Sequence, residues 1–129
     1  MSETFGWRNH TAPGLSSWFK GYVRIEGRVV QGREAAEKLA IMLSDDIERT
    51  AQQLRTLEGH FALVVETSDR TFAATDPVRS IPLFWITGGP STLISSDASQ
   101  LLSQLHDKTT DQDALLQVAM SGYTLRDRT

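Results

Sequence analysis

Hydrophobic and polar positions alternate most clearly between Leu57 and Trp85, and this pattern predicts three consecutive strands. The first of these strands is apolar on both faces, with Phe61, Leu63 and Val65 on one face and Ala62 and Val64 on the other. A strand that is apolar on both faces is typical of the interior of a sheet with a layer on each side. We therefore expect a layered α/β or α+β domain, with Phe61, Leu63, Val65 and Leu83 in its core.

Turn residues separate the three predicted strands. Residues 67–70 combine Thr, Ser, Asp and Arg between two extended segments, which favours a tight turn. The chain then returns through residues 71–75 until Asp76-Pro77 ends the strand, because proline lacks an N–H and has a fixed φ. Pro82 opens the third predicted strand, a position where proline is tolerated, and residues 83–86 continue it.

The flanking segments predict a hairpin and two helices before this region. Strands at residues 22–25 and 28–30 are joined by Glu26-Gly27, a plausible tight turn. A first helix is expected over residues 33–43 and a second after an N-terminal box formed by Asp45 and Glu48. Their predicted apolar faces contain Ala36, Leu39, Ala40 and Leu43 in the first helix, and Ile47, Ala51 and Leu54 in the second.

After Trp85 the pattern predicts a short strand over residues 92–95 and two more helices. Ser96 or Asp97 is expected to cap the first, and Thr110 with Asp113 the second, which Gly122 would end. Their expected inward residues are Leu101, Leu102 and Leu105 in the first helix, and Leu115, Leu116 and Ala119 in the second.

Residues 1–17 show no periodicity and contain several glycine, proline and serine residues. We expect these residues to form a flexible N-terminal arm, which Trp7 could anchor, ahead of a single domain over residues 18–129.

Composition excludes several classes of function. The chain has 129 residues, a net charge of -3 and no cysteine, so it has no basic surface for nucleic acid, no disulfides and no thiolate metal site. His10, His60 and His106 are isolated, and no metal-ligand spacing is present. No apolar run could span a bilayer and the N-terminus is not a signal peptide, which predicts a cytoplasmic protein without a membrane partner.

The stretch from Leu57 to Trp85 resembles the glutaminase domain of the asparagine synthase family, the class II glutamine amidotransferases with an N-terminal nucleophile. The family pattern is Leu-x-Gly-x-Phe-Ala, a strand, a turn, a strand, and then Arg-Asp-x-x-Gly-x-x-Pro-Leu-Tyr-Tyr. The matching residues are Leu57, Gly59, Phe61, Ala62, Asp76, Pro82 and Leu83. The departures are Thr75 for the arginine, Arg79 for the glycine, and Phe84 and Trp85 for the two tyrosines.

The resemblance implies an α+β fold: a layered αββα sandwich of the N-terminal-nucleophile type, complete or incomplete, mainly antiparallel, with helices packed on the sheets. It extends from about Gly21 to Thr129, so residues 18–129 would form the glutaminase-like domain. The half of the family domain that contains the nucleophile strand and the arginine for the glutamine carboxylate is missing or unrecognisable.

The catalytic parts implied by the family are not matched. The nucleophilic cysteine is absent, and Ser2, if exposed, is followed by polar residues that cannot form the buried strand the family has there. The family's Asn-Gly-Glu turn, whose asparagine donates to the oxyanion, corresponds to Glu26, Gly27 and Arg28, of which only Gly27 matches. The loop that would hold the glutamine amino group is missing. We therefore assign no catalytic, substrate-binding or metal residue.

The resemblance thus implies a degenerate glutaminase-like domain of an asparagine synthase-like amidotransferase or ATP-dependent amide ligase. It would lack glutaminase activity and would cover or position a synthetase (ATP-pyrophosphatase) domain or subunit, which would use ATP and Mg²⁺. The alternative is a stand-alone, non-enzymatic interaction module. An open sheet edge at the hairpin of residues 22–30 also predicts a homo-oligomer, with Trp18 and Tyr22 at the contact.

Overall fold

The structure is a computed structural model that describes residues 6–42, 47–87 and 91–121. In chain order its elements are β1 (Arg8–Ala12), β2 (Leu15–Ile25), β3 (Arg28–Gln31), α1 (Gly32–Met42), α2 (Ile47–Thr56), β4 (Glu58–Thr67), β5 (Thr71–Thr75), β6 (Phe84–Ile86), β7 (Leu93–Ser95), α3 (Ala98–Leu102) and α4 (Gln112–Ser121).

The larger sheet is built around the long antiparallel pair of β2 and β4, which is in register from Leu15 opposite Thr67 to Arg24 opposite Glu58. The other side of β2 is shared by two short strands, because β1 pairs with its first half and β3 with its last four residues. On the far side of β4 lies β5, so the strand order is β1-β2-β4-β5 with β3 beside β2. Every strand pair in the sheet is antiparallel.

Both faces of β4 are covered, which confirms the expectation from its alternating apolar residues. Phe61, Leu63 and Val65 are buried in a cluster with Leu39 of α1 and Leu54 of α2. On the opposite face of β4, Ala62 and Val64 form a second buried cluster with Trp7 and Leu83. The partly buried residues Trp18, Ile81 and Ile94 pack against this cluster. Helices therefore cover one face of the larger sheet at β4, and residues outside this sheet cover β4 on the other face.

The predicted fold class is confirmed at the level of a mixed α+β domain with mainly antiparallel strands. The third predicted strand, β6, does not continue the larger sheet but pairs with β7 in a separate two-stranded sheet. Both of its strands contact α3. The change of sheet follows from Asp76-Pro77, where the chain leaves the ladder after β5.

The expectation of a flexible arm over residues 1–17 is wrong for the residues that the structure describes. Residues 8–12 form β1, which turns through Gly14 into β2. Trp7 is buried and its Nε1 donates a hydrogen bond to Ser96 Oγ at 3.1 Å. The hydroxyl of Ser17 is also buried and donates to the carbonyl of Ala36 at 2.9 Å. Residues 1–5 of the predicted arm lie outside the described residues.

The first helices match their prediction, since Ala36, Leu39 and Ala40 of α1 are buried and Leu54 of α2 faces the core. Leu43 and Asp45 lie outside the described residues. None of the helices that the structure describes is long and apolar enough to cross a membrane.

The later helices, α3 and α4, differ in part from the prediction. Asp97 caps α3 as expected and Leu101 is buried, but Leu102 is exposed. In α4 the cap is Asp111 rather than Thr110, because the Asp111 carboxylate accepts from the amides of residues 113 and 114. The side chains expected to face inward in α4 are exposed, namely Leu115, Leu116 and Ala119, while Ala114 is buried. Gly122 lies outside the described residues.

Candidate functional site

The turn at residues 76–80, called here the Asp76 turn, connects the larger sheet to the smaller one. Asp76 is 1% exposed, and its carboxylate accepts hydrogen bonds from the amides of Phe61 at 3.1 Å and Val78 at 3.1 Å. It also accepts from the amide of Ser80 at 3.2 Å and from the Ser80 hydroxyl. Because Phe61 belongs to β4, this one carboxylate fixes the turn against the central strand.

The hydrogen bonds of Asp76 determine its ionisation. Burial by itself raises the pKa of the Asp76 carboxyl, but the bonds from the Ser80 hydroxyl and from the amides of Ser80, Phe61 and Val78 favour the charged form. They outweigh burial and hold the pKa of Asp76 below its usual value of 3.8. A lowered pKa in the folded state stabilises the fold above the unfolded-state pKa, and this contribution is lost as the pH falls through the folded-state value.

We predict that Asp76→Asn lowers the free energy of unfolding at neutral pH by roughly 1–3 kcal/mol, because its amide nitrogen cannot accept the bonds that the carboxylate oxygen accepts. The variant should also lose less stability than the wild type as the pH falls below about 4. Urea unfolding at a series of pH values measures both effects. Asp69→Asn is the control, because Asp69 is exposed and its bonds join only the turn residues Thr67 and Arg70. Equal acid sensitivity in wild type and Asp76→Asn would contradict the prediction.

Arg79, at the end of the same turn, has an unusual backbone conformation. Its φ is 52°, in the left-handed region that glycine adopts most easily, and its amide donates to the carbonyl of Asp76 at 2.9 Å. The turn thus places a non-glycine residue at a position that favours glycine, at a cost on the order of 1 kcal/mol.

An open cleft of about 800 Å³ lies beside the Asp76 turn, between the inner face of β4 and β5 and the smaller sheet. On one side it is lined by Glu66, Thr71 and Ala73, and on the other by Trp85 and Ile94. A second space of about 390 Å³ extends it toward α3 and shares several of the same lining residues. We call the two spaces together the inter-sheet cleft. It exists because the two-stranded sheet covers only part of the larger sheet.

The lining of the inter-sheet cleft combines polar, charged and apolar groups. Its lining contains threonine hydroxyls, the carboxylate of Glu66, and the guanidinium groups of Arg70 and Arg79, which precede and follow β5. Trp85 adds an indole that is 66% exposed. No cysteine or histidine is among the described residues that line it. These groups can hold a partner by hydrogen bonds, charge and apolar contact.

The hairpin of β2 and β3, which the sequence comparison likened to an oxyanion turn, lies apart from the cleft. Glu26 and Gly27 connect β2 and β3 with φ values of 50° and 77°, as a two-residue turn with two positive φ angles requires. Both residues are exposed, and neither lines the inter-sheet cleft. The structure therefore gives Gly27 a role in turn geometry and does not bring it together with the cleft residues.

Trp18 and Tyr22, the two residues expected at a contact between copies, differ in how exposed they are. Trp18 is half-buried against the cluster of Trp7 and Leu83, so only part of it is available to a partner. Tyr22 is exposed and stacks on His60, with ring centroids 5.5 Å apart. The predicted open edge is present, since β3 has no neighbour beyond it among the described strands.

The described residues contain no group of three or more side chains that could hold a metal ion. The sequence did not indicate the inter-sheet cleft, because its lining comes from segments that are far apart along the chain, from Trp18 to Gln104. The available signal was in β5, where the alternate positions Thr71, Ala73 and Thr75 are small and uncharged, so this face of the strand has no bulky side chain to fill the space above it.

Comparison with family models, curated proteins and solved structures found no match to this chain. Its function therefore has to be inferred from its motif and its geometry.

Proposed function

We propose that this chain is a degenerate glutaminase-like domain of an asparagine synthase-like amidotransferase or amide ligase. It has no glutaminase activity and covers or positions a synthetase domain or subunit. The observation that supports this most directly is the Asp76 turn, because residues shared with the family pattern build the passage from one sheet to the other.

Three features of that passage agree with the family pattern. Asp76, a matching residue, is the buried acceptor for the turn and for β4. Arg79, which replaces the pattern's glycine, has the left-handed backbone that would favour glycine there. Leu83, another matching residue, is buried against β4. The shared residues thus have structural roles, which a domain can keep after its catalytic residues are lost.

The catalytic requirements of a glutaminase are met by none of the chain's own groups. There is no cysteine nucleophile anywhere in the sequence. At the position of the oxyanion-binding asparagine, Glu26 presents a carboxylate, which has no hydrogen-bond donor and repels an oxyanion. In this proposal the ATP, the Mg²⁺ and the activated carboxylate all belong to the synthetase partner.

We predict that the purified chain releases no glutamate from glutamine above the rate of a protein-free blank. The measurement is an enzyme-coupled glutamate assay at millimolar glutamine, with Ser2→Ala as the matched variant. Turnover that is present in the wild type and lost in Ser2→Ala would show that Ser2 is a nucleophile, and would contradict the proposal.

The positioning role is tested with a synthetase domain that contains the Ser-Gly-Gly-x-Asp-Ser loop, encoded in the same reading frame or beside it. Coexpression followed by size-exclusion chromatography should give a stoichiometric complex. A synthetase domain that is equally stable and active with and without this chain would exclude the positioning role.

The alternative of a stand-alone interaction module has one structural feature in its favour. In α4 the large apolar side chains of Leu115, Leu116 and Met120 are exposed, so this helix has an apolar surface without a described partner. Leu116→Lys distinguishes the two candidates, with Val78→Lys as an exposed control on the Asp76 turn. The interaction module is favoured if Leu116→Lys weakens the binding of another protein and leaves the binding of the synthetase domain unchanged.

A further inference from the structure

The outer edge of β5 is an unpaired strand edge in the described structure. On its inner side β5 pairs with β4, and the bonds from Thr67 N to Arg70 O and from Asp76 N to Phe61 O bracket this pairing. Because hydrogen-bonded positions alternate along an antiparallel ladder, residues 70, 72, 74 and 76 direct their backbone groups toward β4. Thr71, Ala73 and Thr75 therefore direct their N–H and C=O groups outward.

This edge lacks two of the features by which proteins protect exposed strand edges, a charged residue and a proline within the strand. Its five residues, Thr-Phe-Ala-Ala-Thr, include no charge and no proline. The strands at the opposite edge of the same sheet each contain an arginine, Arg8 in β1 and Arg28 in β3. Ala73 and Thr71 are also exposed on the side of the inter-sheet cleft, so a neighbouring strand would meet no steric obstacle from side chains there.

We propose that β5 pairs with β5 of a second copy of this chain in an antiparallel arrangement whose two-fold axis passes beside Ala73. In this register Ala73 lies opposite Ala73, and Thr71 lies opposite Thr75. All three outward-directed residues then fall in hydrogen-bonded pairs, each of which exchanges two N–H···O bonds. A shift by one residue would place outward-directed groups opposite inward-directed ones, and a shift by two would pair fewer of the three outward-directed residues with each other.

The charges at the two ends of β5 complement each other in this arrangement. Glu66 lies opposite Thr71 at the beginning of β5, and Arg79 follows its end. Both line the inter-sheet cleft, and neither has an ion-pair partner among the described residues. The antiparallel arrangement directs Arg79 of each copy toward Glu66 of the other. Arg70 is neutralised within its own chain, since its Nη2 lies 3.1 Å from an Asp69 carboxylate oxygen.

Apolar contact on the helix side of the sheet adds to the pairing. Phe72 and Ala74 are half-buried against the cluster of Phe61, Leu63 and Val65. In the proposed register Phe72 of one copy lies opposite Ala74 of the other, so both become more buried and the sheet continues across the dimer. This inference goes beyond the proposed function and holds whether or not a synthetase partner exists.

The test is sedimentation velocity of the full chain between about 1 and 100 μM, where a specific interface of modest size should show its dimer. Ala73→Lys and Ala73→Glu each place two like charges opposite each other at the two-fold axis. Each variant alone should be mainly monomeric at concentrations where the wild type is mainly dimeric, with a dissociation constant raised at least about tenfold. A 1:1 mixture of the two should recover the dimer, because lysine then lies opposite glutamate.

Val29→Lys is the matched control, because it adds the same charge to an exposed position on β3 at the opposite edge. This variant should dimerise like the wild type. Circular dichroism and urea unfolding show which variants are folded, and Thr71→Lys serves in place of Ala73→Lys if the latter does not fold. A wild-type chain that is monomeric at the highest concentration overturns the proposal. So does a dimer that persists in Ala73→Lys, or one that is lost in Val29→Lys.

Discussion

Gly21→Ala is expected to abolish the native fold or to lower the free energy of unfolding by at least about 4 kcal/mol, a large share of the stability of a domain. A β-carbon at Gly21 would lie 2.0 Å from the carbonyl oxygen of His60, which belongs to the β4 backbone and cannot move aside. Gly59 faces the same region from β4, and its β-carbon would lie 2.3 Å from the carbonyl oxygen of Tyr22. The central strand pair can approach this closely only with glycine at both positions.

The matched control for this prediction is Gly14→Ala. Gly14 has φ of 74°, compared with 100° at Gly21, but a β-carbon there would have nothing within 4 Å. Its cost is therefore conformational only, about 1–2 kcal/mol. Urea unfolding monitored by circular dichroism compares the two variants. If they lose the same stability, the close approach of β2 and β4 is not what requires glycine at position 21.

Phe61→Ala is expected to lower the free energy of unfolding by about 3–5 kcal/mol, through lost burial and the cavity left behind. Phe61 is fully buried in the center of the helix-facing cluster, and its ring stacks on Phe19 of β2 with centroids 6.1 Å apart. Truncation would therefore weaken the contact between the two central strands as well as the packing of α1 and α2 on the sheet.

Phe72→Ala is the control for Phe61→Ala. Phe72 packs against the same cluster from the edge strand β5 but is only half-buried, so its truncation should cost roughly 1–2 kcal/mol. Chemical denaturation compares the two losses of stability, provided that the dependence of the unfolding free energy on denaturant concentration is the same for each variant. An unchanged midpoint in Phe61→Ala would show that β4 is not the central strand of the core.

The central strand β4 and the helix α1 could be predicted from the sequence because their residues fit few other arrangements. The alternating apolar residues of β4 have no polar face to turn toward water, so they require a layer on each side. The apolar stripe of α1 supplies one of those layers, and its position was predicted from Ala36, Leu39 and Ala40. Asp76-Pro77 marks the end of β5 for an equally local reason, since proline cannot continue the ladder.

The outer elements were predicted less well, for a different reason in each case. Strand β1 has polar side chains and lies at an edge, so alternation of hydrophobicity does not identify it. Helix α4 has the apolar spacing of a packed helix, yet Leu115 and Leu116 are exposed. Amphipathic spacing shows which face of a helix can be buried, but whether another element covers that face depends on the rest of the fold.

The candidate site divides in the same way. The sequence by itself determined the residues of the Asp76 turn, the absence of cysteine, and the presence of a carboxylate at Glu26 in the hairpin turn, because each is a property of local residue type. Only the tertiary structure decided that β6 leaves the larger sheet, that an open cleft remains between the sheets, and that β5 has no neighbour beyond it among the described strands. These three features depend on which strands pair across long separations in sequence, and such pairing is determined by packing of the whole domain rather than by any local pattern.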